Sequence, residues 1–184
     1  GNIITNQSVA NDDKQYTITA KEDGTKEYKV GKTPVTKKQY ENLQKKSEQD
    51  KDDENLTHEY YLDEHGVYTE KVHGTNRPTT TTKYDENGKM KHRIIEEQGR
   101  TIDEDYVFHE ESNTTTVEGT ITPNKDGGKD HSYSYDLPEK GETKTNIKYD
   151  GVSVSDEELG NLMKGTSNNG KGQTTTYKVS AKDG

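Results

Sequence analysis

The sequence predicts a mainly β protein: an elongated antiparallel meander of about ten short strands, with some stretches only a single layer thick, and two short capped helices. Three observations carry this reading. Residues that favour a pleated, half-exposed surface dominate, with 25 Thr, 12 Tyr, 10 Val and 8 Ile in 184 residues. Apolar and aromatic residues recur with a period of two in several runs. Asp- and Asn-containing turns ending in Gly separate those runs at hairpin spacing.

The predicted thinness follows from what is scarce. Leu, Ile, Val and Phe together number 25, about 14% of the chain, and the formal charge is −9. A two-layer sandwich buries a continuous apolar stripe from every strand. Most runs here offer two or three such residues, and several offer only Tyr and Thr. Cross-strand Tyr, Thr, Lys and Glu pairs, each contributing roughly 0.2–1 kcal/mol, are expected to supply the rest. Tyr rings and Lys stems lying flat across neighbouring strands extend that cover.

In chain order, Tyr16, Ile18 and Ala20 share one strand face, ended by the turn Glu22-Asp23-Gly24. Turns follow at Asp63-Glu64-His65-Gly66, Asp85-Glu86-Asn87-Gly88 and Asp126-Gly127-Gly128. Ile102, Glu104, Tyr106 and Phe108 share a face, as do Thr115, Val117, Gly119 and Ile121. Tyr133 with Tyr135, Ile147 with Tyr149, and Tyr177 with Val179 keep the same period.

Two segments depart from this pattern and match each other at an offset of 119 residues: Tyr28 to Lys45 and Ile147 to Lys164. Each predicts a strand, a turn and a short helix. Thr36 and Ser155 are the expected N-caps, with Gln39 and Glu158 at the third helical position, which makes two capping boxes. Val35 is placed to staple to Tyr40, and Val154 to Leu159. Tyr40 with Leu43, and Leu159 with Leu162, then cover local patches of sheet. A second echo links Tyr16–Gly24 with Tyr177–Gly184. Together they suggest a piece cut from a longer, repetitive protein. Ser47–Asn55, nearly all charged or amide-bearing, is expected to be a frayed helix end plus a solvated linker, and Gly165–Gly172 a flexible connection. The predicted organisation is residues 1–56 as an N-terminal hairpin and helix, 57–142 as a central meander, and 143–184 as a strand-helix-strand unit resembling 24–46.

Composition excludes several function classes. No apolar run approaches the roughly 18 residues of a membrane helix, so no membrane insertion is expected. A pI near 5.2 argues against nucleic acid as a partner. The absence of Cys removes disulfides, thiolate metal sites and Cys nucleophiles. The absence of Trp leaves only Tyr to build sugar-binding platforms.

No motif converges on chemistry. His58, His65, His73, His92, His109 and His131 show no paired ligand spacing, and exposed sheet-face or turn positions are expected for them. Asn124 to Asp130 alternates oxygen ligands like the start of a calcium loop, but the twelfth position is Tyr135 rather than an acid, so a polar hairpin turn is expected. With 35 carboxylates, a hydrolytic pair cannot be singled out. The segment Lys83-Tyr84-Asp85-Glu86-Asn87-Gly88-Lys89-Met90 resembles the Tyr-Asp hairpin of bacterial YD-repeat and MORN-variant surface proteins, and Leu62-Asp63-Glu64-His65-Gly66-Val67 is a degenerate cousin. Its physical content is an Asn-Gly turn preceded by an aromatic residue, and it assigns no family.

The function expected is a non-enzymatic structural or protein-interaction module of a bacterial secreted or cell-surface protein, with a protein partner, no catalytic residues, no metal site and no cofactor. Two alternatives belong to other classes. A carboxylate-dependent hydrolase would need two facing acids of perturbed pKa in a pocket. An acidic inhibitor or immunity-type binder would need its acids clustered on one face.

Overall fold

The computed structural model describes residues 3–9 and 14–166. It is mainly β, with antiparallel strands following one another in chain order and two short helices. The described residues form two compact units. One contains those up to Asn76 together with Thr81–Met90, and the other contains Arg77–Thr80 and those from Lys91 on.

The first unit begins with a four-stranded sheet of β1 (Ile3–Val9), β2 (Gln15–Ala20), β3 (Lys26–Val30) and β4 (Thr33–Val35), paired in that order. Helix α1 (Lys37–Lys45) follows. Strands β5 (Ser47–Gln49), β6 (Thr57–Leu62), β7 (Tyr68–His73) and β8 (Thr79–Tyr84) come next, again in chain order. The core comprises Tyr16, Val30, Val35, Tyr40, Leu43, Tyr60 and Tyr68, so four of its seven members are tyrosines. Rings meet edge-on around Tyr40, with Tyr16 and Tyr28 at 5.5 and 5.3 Å from it. Three hydroxyls of this core keep partners: Tyr16 donates to the Leu43 carbonyl, Tyr60 donates to Glu48, and Tyr68 accepts from the Asn42 side-chain amide, while the Tyr40 hydroxyl is buried without one.

The turns Asp63–Gly66 and Asp85–Gly88 are the same structure. In each, the Asp carboxylate accepts the N–H groups two and four residues on, and the Gly N–H returns to the Asp carbonyl. Gly66 and Gly88 sit at φ +78° and +80°, the left-handed region where a Cβ is strained. Both carry the Asp-x-x-Gly spacing read from the sequence.

The second unit runs through β9 (Met90–Glu96), β10 (Arg100–His109), β11 (Thr114–Pro123), β12 (His131–Pro138), β13 (Thr145–Tyr149) and β14 (Val152–Ser153) to helix α2 (Asp156–Thr166). Its core is Ile102, Ile121, Tyr133, Ile147, Tyr149, Val154, Leu159 and Leu162. The Arg100 guanidinium reaches the Met163 carbonyl in the last turn of α2, a favourable partner for a helix C-terminus.

The two matching segments fold alike. Val30 pairs with Thr33 and Lys29 with Pro34; 119 residues later Tyr149 pairs with Val152 and Lys148 with Ser153. The likeness extends one strand upstream: Gly31 N–H bonds the Gln15 carbonyl, and Asp150 N–H bonds the Ser132 carbonyl. Thr36 and Gln39 form a reciprocal capping box, and Ser155 Oγ accepts from Glu158 N–H. Val35 with Tyr40, and Val154 with Leu159, are all buried.

One segment differs from expectation. Residues 47–49 are not the frayed end of α1. The helix stops at Lys46, which takes φ +67°, and Ser47–Gln49 form edge strand β5 on β6. A charge run reads as solvated because its side chains offer nothing to a core. An edge strand needs only backbone pairing and polar partners, and Glu48 has both Tyr60 and Lys45. Tyr177–Gly184, and Gly165–Gly172 beyond Thr166, lie outside the described residues.

The second unit buries a charge. Glu104 is 3% exposed on the core face of β10. Its Oε1 accepts from Arg93 at 2.6 and 2.8 Å and from Tyr106 at 2.9 Å, and its Oε2 accepts from Tyr133 at 2.6 Å. Cross-strand register places Arg93, Glu104, Gly119 and Tyr133 in one lateral row. The Tyr133 ring reaches Glu104 by lying over Gly119, where an added Cβ would come within 2.1 Å of the ring.

Gly119→Ala must therefore displace the Tyr133 ring and its bond to Glu104. Overpacking of this kind costs about 1–3 kcal/mol. Urea unfolding is expected to show a lower midpoint at an unchanged m-value. A variant as stable as the parent would mean that the ring does not depend on this glycine.

Candidate functional site

The first unit carries a cleft of about 250 Å³ whose lining includes Lys38, Asn42, Glu48, Asp50, His58 and Glu70. Its geometry follows from the register of the β6–β7 hairpin. Tyr60 faces Glu70 and His58 faces Val72, so Glu70 lies diagonal to His58 on one face. On the other side Glu48 faces His58, and Asp50 lies in the turn after β5.

The cleft is an ordered polar network. His58 Nε2 stands 2.6 Å from Asp50 Oδ2, and His58 Nδ1 stands 2.8 Å from Glu70 Oε1. Tyr60 donates its hydroxyl to Glu48 at 2.7 Å, and Lys45 donates to the other Glu48 oxygen at 3.1 Å. The His58 ring stacks on Tyr60, which stacks on Tyr68. The bond from Tyr60, and then that from Lys45, hold the Glu48 carboxyl below its usual range. Asp50 is lowered by His58 first and by the N–H groups of Asp52 and Asp53. Burial pushes Tyr68 up to about 12 and raises Tyr60 further, with the bond to Glu48 adding to the latter. Both lowered carboxyls are thus ionised at neutral pH. The pair Glu48 and Asp50 supplies negative charge and acceptors, not a general acid.

Of the other histidines, His65 and His109 are exposed as expected, while His73, His92 and His131 are half-buried. His65 is in an exposed turn, His73 lies 3.0 Å from Glu59, His109 bonds Thr116, and His131 bonds Asp150. Among the described residues, one group converges at ligand spacing: His92, Asp103 and Asp105, with donor atoms all within 4.8 Å. It lies on the solvent side of β9 and β10, and His92 is already bonded to Asp103 at 2.6 Å. In the calcium-like turn, Asn124 is tied to its neighbours. Asn124 donates to the Glu97 and Gln98 carbonyls and accepts from Thr101.

That solvent side is a second surface of interest. Alternation sends Glu104, Gly119 and Tyr133 inward, so the row His92, Asp105, Glu118, Ser134 and Lys148 faces outward. The neighbouring rows add Asp103, Thr120 and Ser132, then Val107, Thr116 and Asp136. Asp103, Asp105, Glu118, Thr120, Ser132 and Lys148 are exposed. The result is a broad polar face with more acids than bases.

Reading the sequence for motifs missed the His58 cluster, because its members come from three elements with no motif spacing. The hairpin turn at Asp63–Gly66 held the signal. Counting outward from Leu62 opposite Tyr68 brings Glu70 beside His58. No protein-family model, curated protein or solved structure matches this chain.

The buried tyrosines give an alkaline signature. Tyr68 and Tyr149 are both raised to about 12 by burial. A raised pKa contributes stability that is complete below the unfolded value near 10 and is lost as pH climbs towards 12. Absorbance titration of phenolate is expected to show the less buried tyrosines ionising first and a second, cooperative phase near pH 12 that coincides with loss of the far-UV β signal. A single phase near pH 10 with the fold intact would contradict the burial.

Proposed function

We propose that this chain is a non-enzymatic structural or protein-interaction module of a bacterial secreted or cell-surface protein, belonging to a longer chain, and that it binds protein through a broad polar face. The observation that carries this reading is the outward face of β9 to β13. It is built from regular strands, and its Thr and Ser rows offer donors and acceptors without charge. Asp103, Asp105 and Glu118 stand exposed across adjacent strands. Exposed carboxylates held in register by a sheet set the orientation and approach rate of a basic partner more than they set raw affinity. The hairpin–helix unit supports the modular side of the reading. It occurs twice with one register, one kind of cap and one stapling pair, and each copy closes a small core beside it.

The same surplus of acids favours, as a second reading, an acidic inhibitor or immunity-type binder. The two differ in location and in the partner's own activity, so one experiment separates them. A photo-crosslinking residue at Thr120, in the chain produced by its native cells, is expected to yield protein adducts outside the cytoplasm, weakened by salt. Adducts with a single basic enzyme inside the cell would favour the inhibitor. Absence of protein adducts in every compartment would overturn both.

A further inference from the structure

We propose that His58 is a pH-sensitive latch that holds the acidic turn after β5 onto β6 and β7 while its imidazole is protonated, and lets that turn go when the proton leaves. The argument starts from hydrogen-bond valence. Both ring nitrogens stand within hydrogen-bond distance of a carboxylate oxygen, at 2.6 Å from Asp50 and 2.8 Å from Glu70. A neutral imidazole has one N–H and one lone pair. It satisfies one of these oxygens and turns its lone pair on the other. Only the doubly protonated ring donates to both, so the observed arrangement is that of the imidazolium.

The partners are not equivalent. Glu70 lies on β7, fixed by its pairing opposite Tyr60, and its second oxygen is 3.4 Å from the Tyr84 hydroxyl. Asp50 lies on the turn itself. Its Oδ2 meets His58, while its Oδ1 accepts the N–H groups of Asp52 and Asp53. Asp50 N–H bonds the Leu56 carbonyl, and Gln49 reaches the Glu54 carbonyl. The Asp50 carboxylate therefore joins the internal structure of the turn to His58, and it is the partner able to leave.

The elements around the ring bring charges of both signs. β5 brings Glu48, which is ionised and bonded to Tyr60. The turn brings Asp50 and Asp52 with one cation, Lys51. β7 brings Glu70, and α1 brings Lys38 to the cleft wall. Carboxylates bond the ring, and the lysines line the wall. Burial opposes the charge on His58, and the bonds to Glu70 and Asp50 with their attraction outweigh it, leaving its pKa above the ordinary 6.5. A raised histidine stabilises fully below its unfolded value and loses that contribution as pH rises through its folded value. Asp50, lowered, loses its contribution only in acid, as pH falls through its own folded pKa. The latch is closed between those limits and opens on the alkaline side.

The test is an NMR titration of the whole chain from pH 5 to 9, following the His ring protons and the amides of Asp52 and Asp53. His58 is expected to titrate above the ordinary 6.5 of a free imidazole. The two amides are expected to shift and lose exchange protection with the His58 midpoint. Asp50→Asn and Glu70→Gln should each bring the His58 midpoint down. His58→Gln should leave the turn's exchange protection without a midpoint in this range. A His58 midpoint at or below the ordinary 6.5 overturns the proposal. So does a turn whose protection is constant while His58 titrates. The parent titration needs no variant, so an unfolded variant does not spare the idea.

Discussion

A carboxylate buried in the core holds the second unit in one arrangement. Removing an ionised Glu from water costs several kcal/mol unless its lone pairs find donors. Glu104 finds Arg93, Tyr106 and Tyr133, on strands β9, β10 and β12. The need to satisfy that one group sets the lateral alignment of four neighbouring strands. It requires Gly on β11, because only a residue without a side chain lets the Tyr133 ring cross. It also fixes which face of each strand looks inward, and so sends Asp103, Asp105 and Glu118 out to the polar face. The outward polar face is in this sense the reverse side of the buried pair.

The first unit meets the same shortage of aliphatic residues in another way. Its core is built on tyrosines, packed edge-on around Tyr40, with the hydroxyls of Tyr16, Tyr68 and Tyr60 led out to a backbone carbonyl, to Asn42 and to Glu48. Aromatic pairs of this geometry contribute beyond the area they bury, about 0.5–1.5 kcal/mol each. The hydroxyls carry the packing outward into the cleft, so the wall of the candidate site is continuous with the core. His58 stacked on Tyr60, and Tyr60 on Tyr68, is that continuity in one row.

Much of the fold was legible because its signals are local. Period-two alternation placed Glu104 and Gly119 on the inward faces of their strands. The caps at Thr36 and Ser155, and the turns ending in Gly66 and Gly88, follow from side chains within four residues of each other. What the pattern did not convey was why an acid and a glycine should face a core, since that depends on Arg93 and Tyr133 from other strands. The strand at Ser47–Gln49 was missed for the same kind of reason: its pairing with β6 leaves no trace in its own composition. The His58 cluster is a product of register, and register can be counted from a hairpin turn even when no motif marks it.

The claim that polar pairing substitutes for an aliphatic core rests most directly on Glu104 and Tyr133. A double-mutant cycle with Glu104→Gln and Tyr133→Phe, read by denaturant unfolding, isolates their coupling. Hydrogen bonds to a buried charge contribute about 1.5–3 kcal/mol, and the expected coupling lies in that range. A coupling near zero, with each single variant still folded, would show that the carboxylate does not hold the strands through Tyr133.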